Sequence, residues 1–377
     1  MNRLTLFAIF WLTSALFIGS AATQSTGMVA DLFGQVCIFD ADSDTVIAGI
    51  PIPKGTLDTF LCDCAITRDR KLGFVSDFNN NCIWVIDLAQ NPPTLAAATN
   101  PIQLTISPED LSFSPDEKFL VVSGVWFETG VPVAVVDIAN RTQIGTFGLG
   151  KNTSACAVEV CPDGSVLIAE RTTRSTTQIR RLHIDGLGNL TDTNELIADT
   201  EAPAVFNLLH VRSDEEGNGQ ETYGIFVSLR QTRVIGSFRV QGMKMLSTAT
   251  IANLWPFDAA VSPRGNRLFV RENAQLGGPG AGSAILEVFQ FHRDAGCIGK
   301  PKSTILLDQL AAGLWGVEQV ALHPSGRKLY VSGLGLLPEV RVFDANKGDL
   351  LATIKTPVIG EQTCLTGITI VGPETED

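Results

Sequence analysis

The sequence predicts an all-β fold, a seven-bladed β-propeller with four antiparallel strands per blade and a first blade closed by the N- and C-terminal strands. Three observations predict it: a turn signal that recurs at near-constant spacing, a fixed succession of β-rich runs after each turn, and two incomplete units at the chain ends that complete one another.

The turn signal appears as Ile66-Thr67-Arg68-Asp69-Arg70, Phe113-Ser114-Pro115-Asp116-Glu117 and Val160-Cys161-Pro162-Asp163-Gly164. It returns as Val211-Arg212-Ser213-Asp214-Glu215, Val261-Ser262-Pro263-Arg264-Gly265 and Leu322-His323-Pro324-Ser325-Gly326, with a degenerate seventh at Val371-Gly372-Pro373-Glu374. The second residues of these signals fall at 67, 114, 161, 212, 262, 323 and 372. Proline presets φ, and Asp or Gly suits the remainder of a tight turn. A period of this length marks a repeat architecture.

After each turn comes a strand such as Phe119–Ser123, Val166–Ala169 or Leu329–Ser332. A third strand follows and often ends in Asp, as in Ile83–Asp87, Val133–Asp137 and Val340–Asp344; a weaker fourth, such as Leu350–Ile354, closes the unit. Four antiparallel strands in about 50 residues is a propeller blade. No 3.6-residue apolar periodicity competes with this reading.

At the ends, Met28–Ile50 supplies the second, third and fourth strands of a blade, and Thr363–Val371 supplies a first strand with no successors. Joined, they complete blade one and leave six whole blades between. The expected division is a leader at residues 1–22, one propeller domain over 27–372 and a short acidic tail at 373–377.

The S-P-D-G turn, the V-V-S-like second strand and the V-V-D-I-A-N-like third strand resemble the YVTN-type β-propeller repeat family, and more widely the seven-bladed lactonase-like propellers. The likeness spans nearly the whole chain after the leader. Blades four, five and six depart from it: the turn at Val211–Glu215 lacks Pro, and the third strands around Arg180, Phe238 and Phe289 lack the terminal Asp.

Composition narrows the partners. The formal charge is −12 with no Lys/Arg cluster, whereas a nucleic-acid binder needs basic surface to displace phosphate counterions. Arg3, the apolar run Leu4–Ile18 and Ser20-Ala21-Ala22 match a secretory signal peptide. The competing reading, a membrane anchor, needs a longer run of ~20 residues. No second run of spanning length follows, so the mature chain is expected to be secreted, extracellular or periplasmic, and monomeric.

Eight Cys fit an oxidising compartment. Cys156 and Cys161 are too far apart along a strand to bond each other. Cys62 and Cys64, two apart, are expected to point the same way. Buried thiols or disulfides to other strands remain the two readings. Sequons begin at Asn140, Asn152 and Asn189.

First strands line a propeller's channel. Counting back five residues from each aligned turn position gives Cys62, Glu109, Cys156, Asn207, Phe257, Glu318 and Gly367; one residue later stand Asp63, Asp110, Ala157, Leu208, Asp258, Gln319 and Ile368. Asp63, Glu109, Asp110, Asn207, Asp258 and Glu318 are therefore expected near one mouth. The resemblance to gluconolactonase-like propellers implies a Ca²⁺ held by Glu, Asn and Asp from different blades, and Glu109, Asn207, Asp258 and Glu318 match that set in residue type. The plainer reading is a polar lining that hydrogen-bonds inner-strand backbone and trapped water.

His210 falls in a first strand and is a candidate general base, though a lone strand His is more often packed; His323 occupies a turn and reads as surface. No G-x-S-x-G elbow, H-E-x-x-H or C-x-x-C-H is present. The Gly-rich stretch 277–282 lacks a following Lys-Ser/Thr and reads as a hairpin on the longest repeat. The function these features favour is a binding scaffold that presents its channel mouth or loop rim to a protein, glycan or small ligand. The alternative is a Ca²⁺-dependent lactonase or related hydrolase acting at the channel.

Overall fold

A computed structural model describes residues 24–124, 132–150, 153–172, 177–197, 205–213, 221–228, 234–251, 255–273, 284–307, 319–332, 338–357 and 364–373. The expected leader, the glycine-rich stretch 277–282, Glu318 and the tail beyond Pro373 lie outside the described residues.

Blade one runs from the channel outwards as Leu365–Val371, Thr26–Asp31, Gln35–Asp40 and Thr45–Pro51. The two chain ends pair antiparallel, with Thr26 opposite Val371, Met28 opposite Thr369 and Val29 opposite Ile368. The inner strands of the other six blades are Leu61–Ile66, Pro108–Phe113, Thr153–Val160, Val205–Arg212, Trp255–Val261 and Val320–Leu322. Each touches the next, and Val320–Leu322 touches Leu365–Val371, so the ring closes.

Second and third strands are sandwiched between neighbouring blades, which is why they read as near-continuous apolar runs: Phe119–Gly124 is wholly buried and Val133–Val136 likewise. Outer strands face water on one side, so Thr142–Phe147 alternates between exposed and half-buried positions. A hydrophobic cluster occupies each of the seven blade seams. The closing seam packs Val29, Phe39, Tyr330, Val342 and Ile368. Above that seam Lys328 Nζ donates to Asp42 O at 2.8 Å and to Asp44 Oδ2 at 2.8 Å, and Tyr330 Oη donates to Asp44 Oδ1 at 2.6 Å. His323 joins this clasp, its Nε2 lying 3.1 Å from Asp42 Oδ1. It is buried, not the surface residue that its turn position suggested.

The repeat's small residues explain themselves locally. In the turn, Ser114 Oγ accepts the Phe119 N–H at 3.0 Å, as Thr67 Oγ1 does from Leu72 at 3.1 Å and Ser262 Oγ from Arg267 at 3.0 Å. The turn's last residue is left-handed in blades two, three, four, six and seven (Arg70, Glu117, Gly164, Gly265, Gly326), so glycine takes it without a Cβ clash. The Asp ending a third strand caps the next hairpin: Asp137 Oδ1 accepts from Asn140 N at 2.8 Å and Asp344 Oδ1 from Asn346 N at 2.8 Å. Blade two departs from the pattern. Its outer strand is split into Thr94–Leu95 and Ile102–Gln103, with Pro92, Pro93 and Pro101 removing the donors a continuous ladder needs.

Candidate functional site

Six of the seven inner strands carry a β-bulge near their first residues. Cys62-Asp63 together oppose Ser76, Glu109-Asp110 oppose Ser123, and Thr366-Gly367 oppose Ala30. Cys156, Phe206 and Phe257 are single extra residues in blades four, five and six. A bulge leaves a donor unpaired and re-aims side chains. A serine near the end of the second strand takes up that donor: Asp63 N reaches Ser76 Oγ at 2.9 Å and Asp110 N reaches Ser123 Oγ at 3.3 Å, and Gln319 N makes the same contact with Ser332 Oγ at 2.9 Å in blade seven. Two of these hydroxyls then donate to the next blade, Ser76 to Glu109 O at 3.1 Å and Ser332 to Thr366 O at 2.8 Å. In blade one the bulge is possible only because Gly367 has no Cβ, which would lie 2.6 Å from the Asp63 backbone.

A polar belt runs along the bulges. Asp63 Oδ2 accepts the Leu111 N–H at 3.1 Å, Asp110 Oδ2 the Val158 N–H at 2.8 Å and Asp258 Oδ2 the Val320 N–H at 2.7 Å. Gln319 repeats the device, accepting from Ile368 N at 3.0 Å while donating to Asp63 Oδ1 at 3.1 Å. Asp63 and Asp110 face each other within hydrogen-bond reach. Burial raises both above the usual carboxylate range, Asp110 further because Asp63's charge adds to it. Asp258 is pushed up to about 7 by burial, against the pull of the Val320 and Ala259 N–H groups and of Arg271.

Beside the belt stand Glu109, the other residue of the blade-three bulge, and Asn207, which follows the blade-five bulge at Phe206. Burial pushes Glu109 up to about 8, offset in part by Arg171. Its Oε2 is buried with no hydrogen-bond partner, and so is Asn207 Oδ1, while Asn207 Nδ2 donates to Asp258 Oδ1 at 2.5 Å. Both residues keep partial exposure. Cys62 and Cys156 flank Glu109; burial, with Glu109's charge, raises both thiols, Cys156 to about 12, so neither is a nucleophile. The bulge also separates Cys62 from Cys64, which were expected to point alike: Cys64 Sγ turns back to Met28 O of blade one at 3.4 Å, whereas Cys62 lies beside Glu109 of blade three.

Three residues further along the strands, roughly 10 Å at the usual rise, lies a second polar group. His210 Nδ1 is 2.6 Å from Glu159 Oε1, and Glu159 Oε2 accepts from Ser112 Oγ at 3.2 Å. Burial alone would lower His210, but the bond to Glu159 outweighs it and holds the imidazole above its ordinary value.

Of the expected calcium ligands, Asn207 and Asp258 meet directly. Asp258 spends both oxygens on protein donors, Glu318 lies outside the described residues, and only Glu109 and Asn207 keep an uncommitted oxygen. Among the described residues no three His, Cys, Asp or Glu side chains form a metal-holding group. All eight cysteines are free thiols, seven of them buried, which is the first of the two readings the sequence left open. Arg171 and Glu159 carry no signal in the repeat: both emerge only once the bulges and blade seams are placed. A separate groove of about 610 Å³ opens on the opposite face between blades two and three, lined by Arg68, Leu72, Asp116, Glu117 and Ile138.

No family model matches the chain, and no curated protein is detectably similar in sequence. Solved structures share its shape. A functionally unknown protein of Desulfotomaculum acetoxidans matches at 20 % identity and TM-score 0.71, covering 93 % of this chain and 99 % of that one. The periplasmic gluconolactonase of Pseudomonas aeruginosa matches at 13 % identity and TM-score 0.67, covering 93 % and 100 %. Kuenenia stuttgartiensis hydrazine synthase matches at 17 % identity and TM-score 0.59, covering 78 % and 86 %. A lactonase and a hydrazine synthase on one scaffold illustrate that shape does not choose chemistry. What these likenesses establish for this chain is the seven-bladed propeller, with gluconolactonase-type propellers among its structural neighbours.

Proposed function

We propose that this chain is an exported propeller that binds a small polar ligand at the channel mouth where its inner strands begin. The observation that carries the reading is the pair of uncommitted buried acceptors, Glu109 Oε2 and Asn207 Oδ1, at or next to the bulges of the channel wall. Buried polar atoms are rarely left unpaired, because each costs on the order of 1–3 kcal/mol. The other belt carboxylates illustrate the rule, since each accepts a backbone N–H from the next blade. A ligand bearing hydroxyl or amino donors offsets the cost at these two atoms. Thermal melts of the whole chain against a panel of small polyols, sugars and organic acids test this. A stabilising compound should lose its effect in Glu109→Ala and Asn207→Ala; a shift untouched by either variant contradicts the site.

A hydrolase is the second reading, favoured by Glu109. A carboxyl group titrating at about 8 can both give and take a proton near neutral pH. Lactone hydrolysis that disappears in Glu109→Gln with folding intact supports it. A calcium-assisted form would have Glu109, Asn207, Asp258 and Glu318 hold the ion, at the cost of Asp258's present bonds. Melts with Ca²⁺ and with EDTA distinguish that form, since ligand at 100 times Kd adds about 2.7 kcal/mol.

A further inference from the structure

Arg171 lies on the second strand of blade four, opposite Ser154, beside the bulge that displays Cys156. It is half-buried, and its charge acts on both the Cys156 thiol and the Glu109 carboxyl group. Among the described residues Arg171 forms no ion pair. The other arginines of blade four behave differently. Arg180 pairs with Glu170 and Asp192, and Arg181 with Glu195.

Among the described residues nothing neutralises Arg171. Cys62 and Cys156 stay protonated, and Glu109, pushed up to about 8, is largely uncharged at neutral pH. A half-buried guanidinium without a counter-charge is costly. It is also out of character in a chain whose net charge is −12. Its planar fork suits a carboxylate.

Building on the mouth reading above, we propose that Arg171 is the anion subsite of that ligand, which is a small hydroxy acid: the carboxylate sits on Arg171 and a hydroxyl donates to Glu109 Oε2 or Asn207 Oδ1. A protonated Glu109 donates its own O–H to the same carboxylate, so binding should weaken as pH rises past about 8.

The test is isothermal titration of the full chain at pH 6.5 with glycolate, lactate and gluconate, and with glucitol, which matches gluconate but carries no carboxylate. The expected result is binding of at least one acid, glucitol at least tenfold weaker than gluconate, a tenfold or greater loss in Arg171→Gln, and partial recovery in Arg171→Lys. Unchanged melting temperatures in both variants assign the loss to the subsite. Equal binding of gluconate and glucitol, or an Arg171→Gln variant that binds acids like wild type, overturns the anion subsite. The mouth reading would still stand if Glu109→Ala abolishes that binding. No binding of any acid to the wild type also overturns this proposal, and glucitol binding then decides the mouth reading separately.

Discussion

Asp63 and Asp110, from the inner strands of blades two and three, face each other across the channel wall while the Leu111 N–H lies 3.1 Å from Asp63 Oδ2 and 3.0 Å from Asp110 Oδ1. The Leu111 N–H that the two carboxyl groups share ties the two blades together here. Asp63 also reaches around blade one to Gln319. Asp63→Ala takes away one of the two acceptors of Leu111 N and the acceptor of Gln319 Nε2, so urea unfolding should show a loss of about 2–4 kcal/mol. A double-mutant cycle with Asp110→Ala should return a coupling above about 0.5 kcal/mol. Additive losses would mean that the two carboxyl groups do not act as a pair.

The belt also sets a pH dependence. Carboxyl groups whose folded values are raised favour the folded state while protonated, so their contribution is full below the unfolded value and is lost as pH rises through the folded one. For Asp258 that window runs from 3.8 to about 7, and for Glu109 from 4.5 to about 8. Stability should therefore decline from about pH 5 towards pH 8. Asp258→Asn should flatten the decline between pH 4 and 7. A wild-type stability that rises across this range would contradict the buried, protonated belt.

His210 titrates in the same sense for a different reason. Its value is raised by Glu159 despite burial, so the imidazolium–carboxylate bond stabilises the fold below the ordinary value of 6.5 and fades as pH rises through the folded value. An NMR titration should place His210 above 6.5, and Glu159→Gln should bring it below. A wild-type value under 6.5 would remove Glu159 as its partner.

Closure depends on the last strand. Deleting residues 362–377 removes Leu365 and Ile368 from the final seam and should abolish cooperative folding, whereas trimming 374–377 should leave the melt unchanged. Gly367→Ala should approach the larger truncation in severity, since its Cβ would press on the Asp63 backbone, which has no room to yield. Equal stability of the two truncations would contradict a first blade shared by both ends.

Thiol titration under denaturing, non-reducing conditions should count all eight cysteines. A count of six or fewer would show bridges that the free thiols here exclude.

The seven blades were legible because the repeat is written in residues with strict local roles: Ser114 and Asp116 make their turn whatever surrounds them, and the all-apolar second and third strands have only a blade seam to enter. The polar positions were legible too, since the alignment that defines the turns also selects Asp63, Asp110 and Asp258. Their purpose was not. Counting along a strand does not reveal bulges, and the bulges turn Cys62 from Cys64 and leave Glu109 and Asn207 with spare oxygens while Asp258 spends both of its own. Arg171 and Glu159 were missed because each acts on a side chain from another blade, about 50 residues away in Glu159's case. His323 looked like a surface turn residue because its partner, Asp42, belongs to the far end of the chain.

The most direct test is a crystal structure of the chain with a bound compound drawn from the melt panel. Its electron density should lie in the channel mouth, with a donor within about 3 Å of Glu109 Oε2 or Asn207 Oδ1. Density in the groove between blades two and three, with only water beside Glu109 and Asn207, would contradict the mouth reading.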